Sequence, residues 1–214
     1  MKVFNKAGYA QHIRKKIPAY ELMQEITFNS LIVEDTKNID VNNILAIGSQ
    51  VEEIQNIVRL FPKAKVLVVE PSEVMIEANK AACNGEVYKN VEYICDKFEN
   101  VKLDQKFDLC ICMLVFHFVE DINSFLTNMK ASLASNASVI LSAFTNEQMI
   151  YWKNFATARG SDLEDIKKTY YSQEDIMNVY SSEDVERLLK AHGFKHINKC
   201  LQVLSMVLYN IKVN

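Results

Sequence analysis

An α/β fold, with a doubly wound and mostly parallel sheet behind a helical lead-in, is what three observations predict for this 214-residue chain. From Ile44 onward short apolar runs alternate with helical apolar patterns, the order expected of a sheet covered on both faces. The first run, Ile44-Leu45-Ala46-Ile47, stops at Gly48, and Val51, Ile54, Ile57, Val58 and Phe61 follow at helical spacing. That is a strand feeding a helix through a tight turn. Finally, Phe194 to Lys212 alternates well enough to form two strands, read as an antiparallel pair closing a sheet edge.

Ahead of the sheet, residues 5–35 read as two helices divided at Pro18, with Tyr9, Ile13 and Ile17, then Tyr20, Met23, Ile26 and Leu31, at roughly helical spacing. Proline is tolerated in a first helical turn but not in a helix interior. The helix after Gly48 runs to about Phe61 and is closed by Pro62. Lys65 to Glu70 is nearly continuously apolar and ends in an acid, as a buried parallel strand would. Ser72 offers an N-cap for a helix carrying Met75, Ala78 and Ala82. A third strand, Val91 to Cys95, ends at Asp96, and a fourth, Phe107 to Met113, runs into Leu114-Val115-Phe116-His117-Phe118. Ile122 to Leu133 reads as a helix, and Ser138 to Phe144 as strand five. Between Thr145 and Tyr180 the pattern weakens to one helix and a less regular segment. Ser181 with Asp184 resembles a capping box opening a helix that ends at Gly193.

Composition narrows the function. Hydrophobic residues make up 49% and charged residues 24%, and the net charge is −3, which disfavours a nucleic-acid partner. Arg14-Lys15-Lys16 and Lys167-Lys168 are short basic clusters that read as solvated faces. No apolar run reaches the ~18 residues of a membrane span. MKVFNKAGYAQHIRKK has neither an apolar core nor a small-residue cleavage site, so a cytoplasmic location is expected. The five cysteines, Cys83, Cys95, Cys110, Cys112 and Cys200, lack C-x-x-C spacing and read as reduced packing residues, with no metal site expected.

Three features fall where strands one to three end: the Gly48 turn, Glu70 and Asp96. In a doubly wound sheet these ends meet along one crevice. A glycine turn before a helix presents backbone N–H groups and a positive helix end, the usual cradle of nucleotide-type cofactors. Glu70 can accept from both hydroxyls of a ribose, and Asp96 from an adenine amino group, with the Lys97 or Phe98 N–H meeting a ring nitrogen. The plain structural alternatives are a helix-capping acid for Glu70 and a turn residue for Asp96. His117, just past strand four, reads either as a general base or as a partly buried histidine bonding a loop carbonyl. Arg14 and Tyr20 read as a lid or a packing helix, and Tyr151 and Trp152 as a substrate pocket or core.

The segments ILAIG, VLVVEPS, YICDKFE, FDLCICMLVFHFVED and SVILSAF, followed by a helix, Gly193-Phe194 and two strands, resemble the class I S-adenosylmethionine-dependent methyltransferase superfamily over nearly the whole chain. The opening RKKIPAYELM and closing LLKAHGFKHINKCLQVLSMVLYNI are similar to the carboxy-S-adenosylmethionine synthases and their small methyltransferase relatives. The resemblance implies one Rossmann-like domain over 1–214, with 1–38 a helical lead-in, 42–144 the cofactor half and 145–214 the substrate side, built on a seven-stranded sheet. It further implies S-adenosyl-L-methionine as cofactor, held by Gly48, Ser49, Gln50, Glu70, Pro71, Asp96, Lys97, Phe98 and Met113. The implied activity is methyl transfer to a small molecule. Alternatives are a degenerate binding or scaffolding protein, or carboxy-S-adenosylmethionine synthesis. A homodimer is compatible with these residues but not specified by them.

The chain departs from the superfamily pattern in its loop. Ala46 replaces an acid, and Gln50 and Glu52 replace glycines. Glu52 is therefore expected to repel a cofactor carboxylate, to meet a cofactor ammonium, or simply to complement its own helix end.

Overall fold

The computed structural model describes residues 9–171, 178 and 180–213. Its centre is a seven-stranded sheet in the order β3-β2-β1-β4-β5-β7-β6. The strands are β1 (Asn43–Ile47), β2 (Lys65–Val69), β3 (Val91–Ile94), β4 (Phe107–Met113), β5 (Leu133–Phe144), β6 (His196–Val203) and β7 (Met206–Lys212). The first five run parallel, and β7 lies antiparallel to both β5 and β6. Strand order reverses between β1 and β4, so the connections leaving those two strands diverge and open a crevice beyond their carboxyl ends.

Alternation along each strand separates two cores. Ile44, Ala46, Val66, Val68, Leu109 and Ile111 face one layer, and Leu45, Ile47, Leu67, Val69, Cys110 and Cys112 face the other. The first layer includes residues of α1 (Tyr9–Lys16), α2 (Tyr20–Ile26), α3 (Ile32–Thr36), α4 (Val51–Leu60), α7 (Met149–Ala158) and α8 (Leu163–Tyr171). The second includes residues of α6 (Ile122–Ser132) and α9 (Ser182–Ala191). The remaining helix, α5 (Glu73–Ala82), is capped by Ser72, whose Oγ accepts from the Met75 N–H. At α9 the capping box forms as expected, with Ser181 Oγ accepting from the Asp184 N–H and Asp184 Oδ2 from the Ser181 N–H.

Three expectations need correction. Strand β5 starts at Leu133 rather than Ser138, because Phe107 pairs with Leu133 across an irregular step before regular pairing resumes at Leu109 and Ser138. Among the described residues the stretch after Thr145 holds two helices where one was expected, and their pattern is faint because α7 buries only Trp152 and Ala156. In the lead-in, a π turn at Thr27–Leu31 links α2 to α3. The predicted helix start at residues 5–8, and most of the irregular segment before Tyr180, lie outside the described residues.

Among the described residues no helix is long and apolar enough to cross a membrane, and no cluster of His, Cys, Asp or Glu is arranged to hold a metal. Cys83, Cys110 and Cys112 are buried free thiols. Burial pushes the Cys110 and Cys112 thiols up, as fits packing residues rather than nucleophiles.

Candidate functional site

A cleft enclosing about 820 Å³, open to solvent, lies at the carboxyl ends of β1, β2 and β4. Its floor is made by the turn after β1. Gly48 takes φ +63°, and a Cβ there would meet Val115 Cγ2 at 2.4 Å, so both the backbone conformation and the close approach require glycine. The Gly48 N–H donates to the Val69 carbonyl at 2.9 Å, tying the turn to β2. Gln50 is the N-cap of α4 with φ −103° and ψ 175°, an extended conformation open to any residue. Glu52 lies within α4 itself. The missing loop glycines therefore cost no backbone strain.

Glu70 ends β2 and lines the cleft at 8% exposure. Its Oε1 accepts from the Ser72 N–H at 2.9 Å, and burial raises its pKa against that bond. The capping-acid reading is thus half realised. One oxygen holds the turn into α5, and the carboxylate retains acceptor capacity beside the cleft.

Of the other expected cofactor residues, Gln50, Pro71, Lys97, Phe98 and Met113 line the cleft with Gly48. Ser49 is buried beneath it, its carbonyl accepting from Asn79 Nδ2 at 3.0 Å. Asp96 is exposed and does not line the cleft. Its Oδ1 accepts from the Lys97 N–H at 2.7 Å and from Asn100 Nδ2 at 3.1 Å, which is the turn-residue role. Lys97 Nζ is paired with Glu120 at 2.6 Å.

His117 corrects the general-base expectation. It is 4% exposed and absent from the cleft lining. Its Nδ1 accepts from the Phe144 N–H at 3.2 Å, and its ring packs 4.1 Å from Phe118 and 6.0 Å from Phe144, centroid to centroid. Burial lowers its pKa to about 3, leaving a neutral ring that is a poor proton acceptor. Trp152 is likewise core, donating from Nε1 to the Lys16 carbonyl at 2.7 Å, whereas Tyr151 is 61% exposed.

Glu52 settles away from the cleft. It accepts from Arg14 at 2.7 Å, and Arg14 also bonds Glu21 and lies over the Tyr20 ring, so α1 and α2 are clipped onto α4. Neither Arg14 nor Tyr20, the two residues read as a lid, lines the cleft; Ile13 of α1 does, and Arg14 acts as the clip. The acid that does face the cleft is the neighbouring Glu53, which sequence reading missed. A further unforeseen feature is Leu114, a cleft residue held at φ 58° by a bond from its N–H to Ser142 Oγ at 2.9 Å.

The pattern of a family described as a methyltransferase domain matches residues 10–199. The chain belongs to the methyltransferase domain family. Its class I superfamily membership, expected from the strand-end motifs, is thereby shown. Malonyl-[acyl-carrier protein] O-methyltransferase of Bacillus anthracis is 28% identical over 100 residues, covering 47% of this chain and 35% of that protein. Ubiquinone biosynthesis O-methyltransferase of Bradyrhizobium diazoefficiens is 30% identical over 95 residues, covering 44% and 36%. The chain thus spans about a third of the length of these two relatives. Among solved structures, the plantazolicin methyltransferase BpumL, in complex with a monoazolic desmethylPZN analog and SAH, matches 96% of this chain and 88% of its own at TM-score 0.72 and 14% identity. That likeness shows the shared methyltransferase fold.

Proposed function

We propose that this family member binds S-adenosylmethionine in the cleft and transfers its methyl group to a small molecule. The observation that carries the proposal is Glu70, a buried carboxylate at the end of β2 with only part of its acceptor capacity used by Ser72. A ribose supplies two hydroxyl donors for the rest. Gly48 lets the backbone approach the ligand, and Phe98, Met113 and Val119 offer apolar surface for a base. The Lys97 N–H is taken by Asp96, which leaves the Phe98 N–H as the donor for a ring nitrogen. This set fits the cofactor. It combines a ribose acceptor, a glycine cradle and apolar walls, and Lys97, the one cation in the cleft lining among the described residues, is already paired with Glu120.

When bound, S-adenosylmethionine supplies a methyl group on a sulfonium. The chain's contribution is to fix that group in line with the acceptor and to exclude water with apolar walls. With His117 turned into the core, no imidazole among the described residues lines the cleft, and the acceptor that suits the site best is one that arrives as an anion, whose lone pair forms the new bond to the methyl carbon as the C–S bond breaks and which has no proton to lose. Both curated relatives are named as O-methyltransferases, which favours an oxygen nucleophile. A cytoplasmic location belongs to the same proposal and fits the free thiols.

Calorimetric titration with S-adenosylmethionine and S-adenosylhomocysteine tests this reading. Micromolar binding that Glu70→Ala removes is expected. No heat at millimolar ligand would reject it.

A further inference from the structure

Glu53 is a carboxylate that the methyl-transfer scheme does not use. It sits in the first turn of α4 at 4% exposure, yet it lines the cleft. Gln24 Nε2 donates to its Oε1 at 3.1 Å and the Gln50 N–H to its Oε2 at 3.1 Å, both neutral donors. Gln24 Nε2 also donates to the Tyr20 hydroxyl at 3.0 Å. The Ser49 hydroxyl lies close enough to favour the charged carboxylate without completing a well-formed hydrogen bond. Gln24 Oε1 is buried with no hydrogen-bond partner. Among the described residues no ion pair includes Glu53, which as the third residue of α4 meets only the positive end of its own helix. Glu52 on the same helix is a like charge, itself bonded to Arg14 of α1. Tyr20 of α2 and Cys112 of β4 are buried and held neutral, their pKa values raised in part by Glu53.

A buried carboxylate held by neutral donors alone is costly when ionised, and a cation entering the cleft would relieve that cost. Burial accordingly pushes the Glu53 pKa up to about 7. Resting on the cofactor reading above, we propose that Glu53 is the counter-charge for the α-ammonium of the cofactor's methionine part. The arrangement also explains why the lead-in helices are needed. Tyr20 and Gln24 cover Glu53, and Arg14 draws Glu52 outward so that only one of these two adjacent acids lines the cleft.

Ionised Glu53 pairs with the ammonium, whereas protonated Glu53 must first release its proton to solvent. Below the ammonium's own pKa, affinity for amino-acid-bearing ligand therefore rises with pH through about 7.

The test compares S-adenosylhomocysteine with 5′-methylthioadenosine, which keeps the ribose and base but lacks the amino-acid group. In the wild-type protein, S-adenosylhomocysteine is expected to bind more tightly at pH 7.5 than at pH 5.5 by about tenfold, with proton release visible across buffers of different ionisation enthalpy, while 5′-methylthioadenosine stays flat. Glu53→Gln is expected to weaken S-adenosylhomocysteine about ten- to a hundredfold at the higher pH, to abolish the proton release and to spare 5′-methylthioadenosine. A flat wild-type profile for both ligands, or an equal loss of both in Glu53→Gln, would overturn the Glu53 role while leaving the cofactor reading intact. Failure of the wild-type protein to bind either ligand would overturn both. The wild-type profile needs no variant, so misfolding of Glu53→Gln would not remove the test.

Discussion

Glu70 and Glu53 line the same cleft, and each is more than nine-tenths buried, but they are buried by different means. Glu70 is placed by the sheet, since a parallel strand flanked by β1 and β3 delivers its terminal residue to the carboxyl edge whatever the surrounding helices do. Glu53 is placed by a helix and then covered by a second element, Tyr20 and Gln24 of α2. Position fixed by a strand end is robust and simple. Position fixed by the docking of a lead-in helix is conditional, and it gives the acid a raised, near-neutral pKa that the strand-end acid does not match in size. On the proposed reading, one cleft combines a ribose site placed by the sheet with a charge site tuned by packing.

Substitutions can separate the two. The largest effect is expected for Glu70→Ala, which removes the proposed acceptor of the two ribose hydroxyls. Hydrogen bonds to charged groups are worth about 1.5–3 kcal/mol each, so S-adenosylhomocysteine and 5′-methylthioadenosine should both weaken at least about a hundredfold in calorimetry. An effect confined to S-adenosylhomocysteine would mean that the roles of the two acids have been exchanged. Next comes Gly48→Ala. The left-handed conformation and the 2.4 Å approach to Val115 together should destabilise the protein by about 2–4 kcal/mol in urea unfolding. A neutral result would show that the floor shared by both acids is compliant.

Smaller effects sharpen the contrast with His117. Its lowered pKa means that the unfolded chain binds a proton the native state refuses between about pH 6.5 and 3. The stability it contributes is therefore complete above pH 6.5 and is lost as pH falls. His117→Gln, which keeps an acceptor for the Phe144 N–H, should flatten that acid loss and leave ligand binding unchanged, as followed by urea unfolding across pH and by titration. The smallest effect is expected for Arg14→Ala. Its ion pair with Glu52 is partly exposed, so unfolding should shift by no more than about 1 kcal/mol, while S-adenosylhomocysteine binding falls a few-fold as α1 loosens from α4.

The strand ends were legible in the sequence because period and punctuation are local. The apolar run ending at Gly48, the acid after Lys65 to Val69 and the capping box at Ser181 each depend on a few neighbouring residues, and the fold follows from them. The same locality misled at Glu52 and Glu53. Two adjacent acids at a helix start both complement the helix end, and only the approach of α1 and α2 decides that Arg14 takes one while Gln24 covers the other. His117 lies away from the cleft for a related reason. Its position past β4 is as expected, but the single turn Phe116–Phe118 directs the imidazole toward Phe144 rather than the cleft. The replacement of loop glycines needs no compensation, because Gln50 adopts an ordinary extended conformation and Glu52 a helical one, so those side chains are accommodated without strain.

The most direct measurement is a crystal structure of the protein with S-adenosylhomocysteine bound. The account predicts the ribose hydroxyls on Glu70 and the α-ammonium within about 3 Å of Glu53, with Glu52 still on Arg14. A ribose away from Glu70, or an ammonium facing backbone carbonyls with Glu53 left covered by Gln24, would contradict it.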